Sequence, residues 1–264
     1  MERSRSAAAL RGSTMTNPEH SMPEGDADAP LSVLDRVFAI LEVVRRMTGP
    51  ISVAGIAAEA RVPRSTTARL IAELIEQRYL ARDADGVTLG MRLFELGARA
   101  TIPRRIAAAA APVVHELAVR TGERVGVWVQ QGTDMVSLTA VPGRLPMLPT
   151  RAGMRSPALT TASGKAFLAF CDDATVVERV GARLEPNDAE RFHDELTTVR
   201  AATLATDPGD SYAGVLAVAC PLMGHGRVVG ALSLAGPADA MREERVAPLV
   251  RAAGVSLTRR LAAV

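Results

Sequence analysis

Lysine is nearly missing from this chain: Lys165 is the only one among 264 residues, against 30 arginines. Aromatic residues make up 3%, and Trp128 is the single tryptophan. Cysteine occurs twice, at Cys171 and Cys220, with no Cys-x-x-Cys pair and no histidine at ligand spacing. That excludes a disulfide framework and leaves two buried free thiols as the expectation. The four histidines, His20, His115, His193 and His225, are scattered, so neither a metal site nor a cofactor is expected. No apolar run approaches the ~18 residues of a membrane span. Arg3, Arg5 and Arg11 are not followed by an apolar core, so no signal peptide is expected and the cytoplasm is the expected compartment. Charge of one sign is also scarce. Residues 31–100 hold ten basic and eight acidic side chains, and the whole chain carries +2. Such a balance excludes a strong non-specific nucleic-acid binder and requires any specific one to cluster its arginines on one face.

Catalytic patterns fail on inspection. Gly164-Lys165 suggests a phosphate loop, but that motif needs Gly where Leu159 stands and Ser or Thr where Ala166 stands. A Ser-x-x-Lys nucleophile needs Ser at Ala162, and no Gly-x-Ser-x-Gly elbow surrounds Ser163. The chain is therefore not expected to be an enzyme.

What is present is a globular composition, 48% hydrophobic and 23% charged. Residues 1–30 are small, polar and acidic, and are expected to form a disordered tail. Ser32 can cap a helix carrying Val33, Val37, Ile40, Leu41 and Val44, which Gly49-Pro50 ends. Ser52 can cap a short second helix with Val53, Ile56, Ala57 and Ala60. Pro63 breaks the pattern at Val62. A third helix is predicted from about Arg64 to Gln77, with Ala68, Ile71, Leu74 and Ile75 on its buried side. Arg64, Ser65, Thr66, Thr67 and Arg69 crowd its first turns, mostly off that side. Asp83-Ala84-Asp85-Gly86 then suits a turn between two short strands. Helix, turn, helix and ribbon in this order form a winged helix-turn-helix. Its second motif helix would enter the DNA major groove, where Arg pairs with guanine and Thr methyls touch thymine.

The later chain changes character. Met91 to Leu96 suggest a helix, Pro103 interrupts, and Ile106 to Arg120 resume it. Val125, Val127 and Val129 alternate as a strand, and Met135 to Val141 return as another. Pro142, Pro146 and Pro149 mark a long loop. Helices are predicted at Gly164–Cys171, Ala174–Val180, Ala189–Val199 and Arg242–Leu261, and strands at Val215–Ala219 and Val228–Leu234. The pattern implies an α+β domain on an antiparallel sheet. Ser163 and Gly164 stand where a loop enters a helix, and free amides at such a start attract an anion.

The stretches Leu34-Asp35-Arg36-Val37-Phe38-Ala39-Ile40-Leu41, Ile56-Ala57, Arg64 to Leu70, Tyr79-Leu80 and Leu89-Gly90 resemble the DNA-binding domain of the IclR family of bacterial transcription regulators. The resemblance continues to the C-terminus. It implies a winged helix-turn-helix over residues 31–95, a helical linker over 96–121 and a GAF-like α+β effector-binding and oligomerisation domain over 104–264. It implies a double-stranded DNA operator with an inverted repeat, a homodimer or tetramer, and a small organic effector for which a carboxylate is a candidate. Pocket positions carried over by the resemblance are Ala162, Ser163, Asp207, Asp210, Ala217, Ser233 and Ala235. Gly164 joins them from its helix start. The chain departs from the family pattern at Thr203-Leu204-Ala205, where Gly-Tyr-Ala is common, at Asp210, where Glu is frequent, and at Ala217, where Cys is frequent. Two other readings stay open at this point: a metabolite-binding enzyme, and a DNA-binding protein without an effector.

Overall fold

Ser32 caps the first helix, α1 (Val33–Arg46), with a full capping box: its hydroxyl accepts from the Asp35 amide and the Asp35 carboxylate accepts from the Ser32 amide. The structure, a computed structural model, describes residues 32–148, 150–182 and 184–262. The expected tail at residues 1–30 lies outside them. The chain divides into two compact units between Thr101 and Ile102.

In the first unit, Ser52 caps α2 (Val53–Ala60) through the Gly55 amide, and Arg61 ends it in a left-handed conformation. Pro63 then stands at the start of α3 (Arg64–Glu76), where its missing amide hydrogen costs nothing. The strands β1 (Leu80–Arg82) and β2 (Val87–Leu89) pair antiparallel, and Ile51 adds a bridge to Val87. Asp83 shapes the turn by accepting from the Asp85 and Gly86 amides. Ile40, Val43, Ile56, Leu70, Ile71, Leu80 and Val87 form one core. A short helix, α4 (Met91–Gly97), follows with no buried residue; Met91 and Phe94 are exposed.

One expectation fails here. The buried stripe of α3 runs through Thr67, Leu70 and Ile71 instead of beginning at Ala68, which is exposed. Thr67 has 0% exposure, and its hydroxyl donates to the carbonyls of Val62 and Pro63. Those two bonds satisfy the hydroxyl inside the core and hold the turn before α3.

The second unit starts on α5 (Thr101–Thr121). Pro103 does not interrupt it: it lies in the first turn, where no helical amide is required. The sheet order is β5-β4-β3-β8-β7-β6, antiparallel throughout. Its strands are β3 (Arg124–Gln131), β4 (Asp134–Val141), β5 (Arg155–Pro157), β6 (Ala205–Asp207), β7 (Val215–Gly224) and β8 (Arg227–Pro237). β5 and β6 are edge strands of three residues each, and β7 and β8 are longer than expected. His225 and Gly226 both have positive φ, as a tight hairpin between right-twisted strands demands.

The two faces of this sheet differ in side-chain size. On one, Val125, Leu234, Val218, Val127, Leu232 and Cys220 pack against α5 and α9 (Glu243–Ala262). On the other, the paired residues are small. Register places Arg124, Ala235, Ala217 and Asp207 in one row, and Gly126, Ser233, Ala219 and Ala205 in the next. The helices α6 (Ala162–Leu168), α7 (Ala174–Gly181) and α8 (Pro186–Ala202) cover that face through Phe167, Val180, Phe192 and Leu196. Small side chains on the floor leave space that α6 does not fill.

Candidate functional site

Two places combine exposed or buried polar groups with a concave or protruding surface. The first is the start of α3. Arg64 and Ser65 are exposed, Thr66 is half-buried, and Arg69 is exposed. Pro63 offers no side-chain cap, so the leading amides of this helix have no capping side chain. Such an end attracts phosphate, and Arg64 beside it adds a positive charge. Arg69 pairs with Glu73 at 2.7 Å, both largely exposed, a contact weak enough to exchange for another partner. Thr67 does not belong with these residues, because its side chain is in the core. The tip of the ribbon carries the carboxylates of Asp83 and Asp85, which do not favour a phosphate there.

The second place is a pocket between the small-residue face of the sheet and the start of α6, with about 450 Å³ of non-atom space that includes its open mouth. Six of the eight sequence-predicted residues line it: Ala162, Ser163, Asp207, Ala217, Ser233 and Ala235. Two do not. Asp210 is exposed and contributes only its amide, to Asp207. Gly164 faces the backbone of Ala158 so closely that a Cβ there would overlap its carbonyl. Its amide donates to the hydroxyl of Thr161, the cap of α6. Gly164 is a close-packing glycine and not an open anion cradle.

Asp207 also has a different task from the one its position suggests. Its Oδ1 accepts from the amides of Gly209, Asp210 and Ser211 at 3.0, 2.7 and 3.4 Å. This folds the loop that brings Ser211 and Tyr212 to the pocket. Ser211 in turn donates to Thr160 at 3.2 Å, tying that loop to the segment before α6.

Arg124 and Trp128 were not among the pocket residues expected from the sequence, where they stand four apart on one face of a valine-rich strand. Arg124 is 4% exposed and lines the pocket, with its guanidinium 4.8 Å from the centre of the Trp128 ring. Burial lowers its pKa to about 10, so it remains cationic at neutral pH. Trp128 donates to Ser233 at 2.9 Å, across the space left by Gly126. An arginine beside acidic Glu123 and an isolated tryptophan on one strand face was the signal available in the sequence.

The rim is held by a buried charge. Glu123 is 2% exposed and pairs with Arg144, and Gly143 lies flat against the backbone of residues 123 and 124. The same loop brings Leu145 and Leu148 onto Val215 and Ala235 at the pocket edge. Arg144→Ala would strip Glu123 of its counter-charge while its Oε2 already lacks a hydrogen-bond partner. A stability loss of about 1–3 kcal/mol is expected in chemical denaturation, at the lower end because Arg144 is half exposed. Adding Glu123→Gln to that variant should recover part of the loss. Simple additivity of the two losses would contradict the pairing.

Comparison with known proteins decides the family. The profile described as bacterial transcriptional regulator IclR C-terminal matches residues 99–259, and the IclR helix-turn-helix domain matches residues 33–84. The chain belongs to the IclR family. SauR of Cupriavidus necator, a probable transcriptional regulator, is 27% identical over 222 residues, 80% of this chain and 88% of SauR. The transcriptional repressor AllR of Escherichia coli K12 is 25% identical over 223 residues, 80% of this chain and 82% of AllR. An IclR homologue of Microbacterium hydrocarbonoxydans, solved in complex with 4-hydroxybenzoate, superposes with a TM-score of 0.79 at 27% identity, covering 88% of this chain and all of that one. The Thermotoga maritima IclR gives 0.68 at 25%, covering 87% and 98%. As an IclR-family member the protein is a ligand-responsive, DNA-binding transcriptional regulator, with a helix-turn-helix domain before a C-terminal α+β domain. Its relatives are named as regulators and repressors, not as enzymes. No helix among the described residues is long and apolar enough to cross a membrane.

Proposed function

We infer that the protein reads an inverted-repeat operator as a homodimer or tetramer, through Arg64, Ser65, Thr66 and Arg69, and that a small organic effector in the pocket beside Ser163 shifts that binding. The cytoplasm is the compartment this work requires. Residues 31–95 would read DNA, 96–121 would link, and 104–264 would bind effector and subunit. The observation that carries the DNA half is the uncapped, arginine-bearing start of α3 projecting from a complete three-helix core. The mild charge of this segment favours two copies over one, since a single copy would bind weakly. Apolar side chains exposed on α1 and α4, among them Leu34, Phe38, Met91 and Phe94, suit burial against a second subunit.

The effector half rests on the pocket itself: an apolar concavity with a few polar groups, the ordinary form of a small-molecule site. The 4-hydroxybenzoate complex of the Microbacterium homologue supports a hydroxylated aromatic acid as a first candidate. An effector can shift operator affinity only by its preference for one conformation over the other. Footprinting on the native promoter should reveal two protected half-sites about 34 Å apart, or a multiple of that. A metabolite panel, screened by thermal shift and then by operator release, should yield a ligand whose effect Ala217→Phe abolishes by filling the floor. Protection of one unrepeated half-site, or ligand response unchanged in Ala217→Phe, would overturn the respective half.

A further inference from the structure

We propose that Arg61, in the turn before α3, is a phosphate anchor of the DNA interface, adding affinity without reading sequence. This rests on the DNA half of the reading above and deepens it. Among the described residues of the first unit, two that are not glycine have positive φ: Arg61 at 53° and Arg78 at 63°. Each follows a helix in the same way. The amide of Arg61 donates to Ala58 and that of Val62 to Ala57; the amide of Arg78 donates to Ile75 and that of Tyr79 to Leu74. Such a helix ending ordinarily carries glycine at the left-handed position, because a Cβ there crowds the backbone. An arginine in that place works against the fold. Both arginines are exposed, and neither forms an ion pair with a described residue. The fold itself therefore gives no reason for either charge, and a strained residue of this kind points outward to function.

Place distinguishes the two. Arg61 stands three residues before Arg64, so their Cα atoms lie within about 11 Å even along an extended chain. The turn between them is held firmly: Val62 is 4% exposed, and Thr67 donates to the carbonyls of both Val62 and Pro63. With Val62 fixed in the core, Arg61 is carried on the outside of the turn, beside the end of α3 that meets the bases. An arginine flanking a base-reading residue meets the adjoining sugar–phosphate strand, where its guanidinium binds phosphate whatever the sequence. Arg78 leaves the opposite end of α3, about 20 Å away for a helix of 13 residues, and leads into the ribbon whose tip carries Asp83 and Asp85. The two arginines share backbone conformation, exposure and charge, and differ in their distance from the docked end.

Arg61→Gly and Arg78→Gly in the full chain form the test, because glycine relieves the left-handed backbone at both positions and removes one charge from each. Neither should lower the denaturation midpoint. Binding is titrated on the native promoter fragment and on a scrambled duplex of the same length, over a range of salt. Arg61→Gly should weaken both duplexes at least about fivefold and flatten the dependence of log K on log salt by about 0.9 per bound subunit. Its preference for the promoter should stay within about twofold of wild type, since a phosphate contact carries no sequence information. Arg78→Gly should match wild type on both duplexes. Arg61→Lys keeps the charge and should keep the salt dependence. An unchanged salt dependence in Arg61→Gly, an equal loss in Arg78→Gly, or a collapse of promoter preference in Arg61→Gly would overturn the assignment. So would a loss that vanishes on correction for the folded fraction. Arg64→Ala separates these outcomes from failure of the DNA reading. If it abolishes promoter preference while Arg61→Gly matches wild type, the anchor alone is lost. If wild type shows no preference for the promoter, the DNA reading falls and the anchor with it.

Discussion

Gly164→Ala is expected to destabilise the second unit by about 3 kcal/mol, well above the effect of an ordinary surface change. A Cβ at this position would overlap the carbonyl oxygen, the carbonyl carbon and the Cα of Ala158, all of them backbone, so no side chain can swing aside. Relief requires α6 to retreat from the segment before it. That would break the bond from the Gly164 amide to Thr161 and loosen the Thr161 bond to Pro157. Ala162 and Ser163 would then leave their places above the pocket floor. Chemical denaturation reads the loss directly, and any effector response should disappear with it. Ser163→Ala is the control: the Ser163 hydroxyl makes one long contact, 3.4 Å to Thr161, so its removal should cost little. A Gly164→Ala variant within about 0.5 kcal/mol of wild type would contradict the close packing.

This glycine marks the limit of what the sequence could show. A Ser-Gly pair at a helix start reads as a place for an anion, because local rules describe free amides and not what lies across the gap. Ala158 is only six residues earlier, yet the loop between them has no periodicity from which a contact could be read. Features governed by neighbours in sequence were legible. Ser32 and Ser52 cap their helices as expected, Asp83 and Gly86 turn the ribbon, and the helices of the second unit stand near their predicted places. β5 and β6 escaped notice because three residues at a sheet edge are too short for alternation to register.

The pocket was half legible for a related reason. Ala162, Ser163, Asp207, Ala217, Ser233 and Ala235 came from family resemblance, and all six line it. Arg124 meets Ala235, Ala217 and Asp207 only through the register of four strands spread over more than eighty residues. No pattern along the chain encodes that row. The face it belongs to could be recognised in hindsight by the small residues Ala217, Ala219, Ala231, Ser233 and Ala235. Each alternates with a large apolar residue bound for the other face.

The largest effect on DNA binding is expected at Arg64, and Thr67 supplies its contrast. Both stand at the start of α3, and polar residues there look alike in a sequence. The structure separates them: Arg64 is exposed, whereas Thr67 is buried with its hydroxyl bonded to two carbonyls of the preceding turn. Losing a base-reading arginine costs about 1–3 kcal/mol per contact. A symmetric dimer loses it in each half-site, about 2–6 kcal/mol in all, so Arg64→Ala should weaken operator binding at least about thirtyfold. Binding to a scrambled duplex should fall much less, because it depends on phosphate contacts that other groups share. Thr67→Ala should behave oppositely. It would lose about 1–2 kcal/mol of stability with its buried hydrogen bonds, yet the folded fraction should keep its preference for operator over scrambled DNA. Titrations of both variants against both duplexes, corrected for folded fraction, distinguish the roles. Operator preference that survives in Arg64→Ala but collapses in folded Thr67→Ala would reverse the orientation assigned to this helix on DNA.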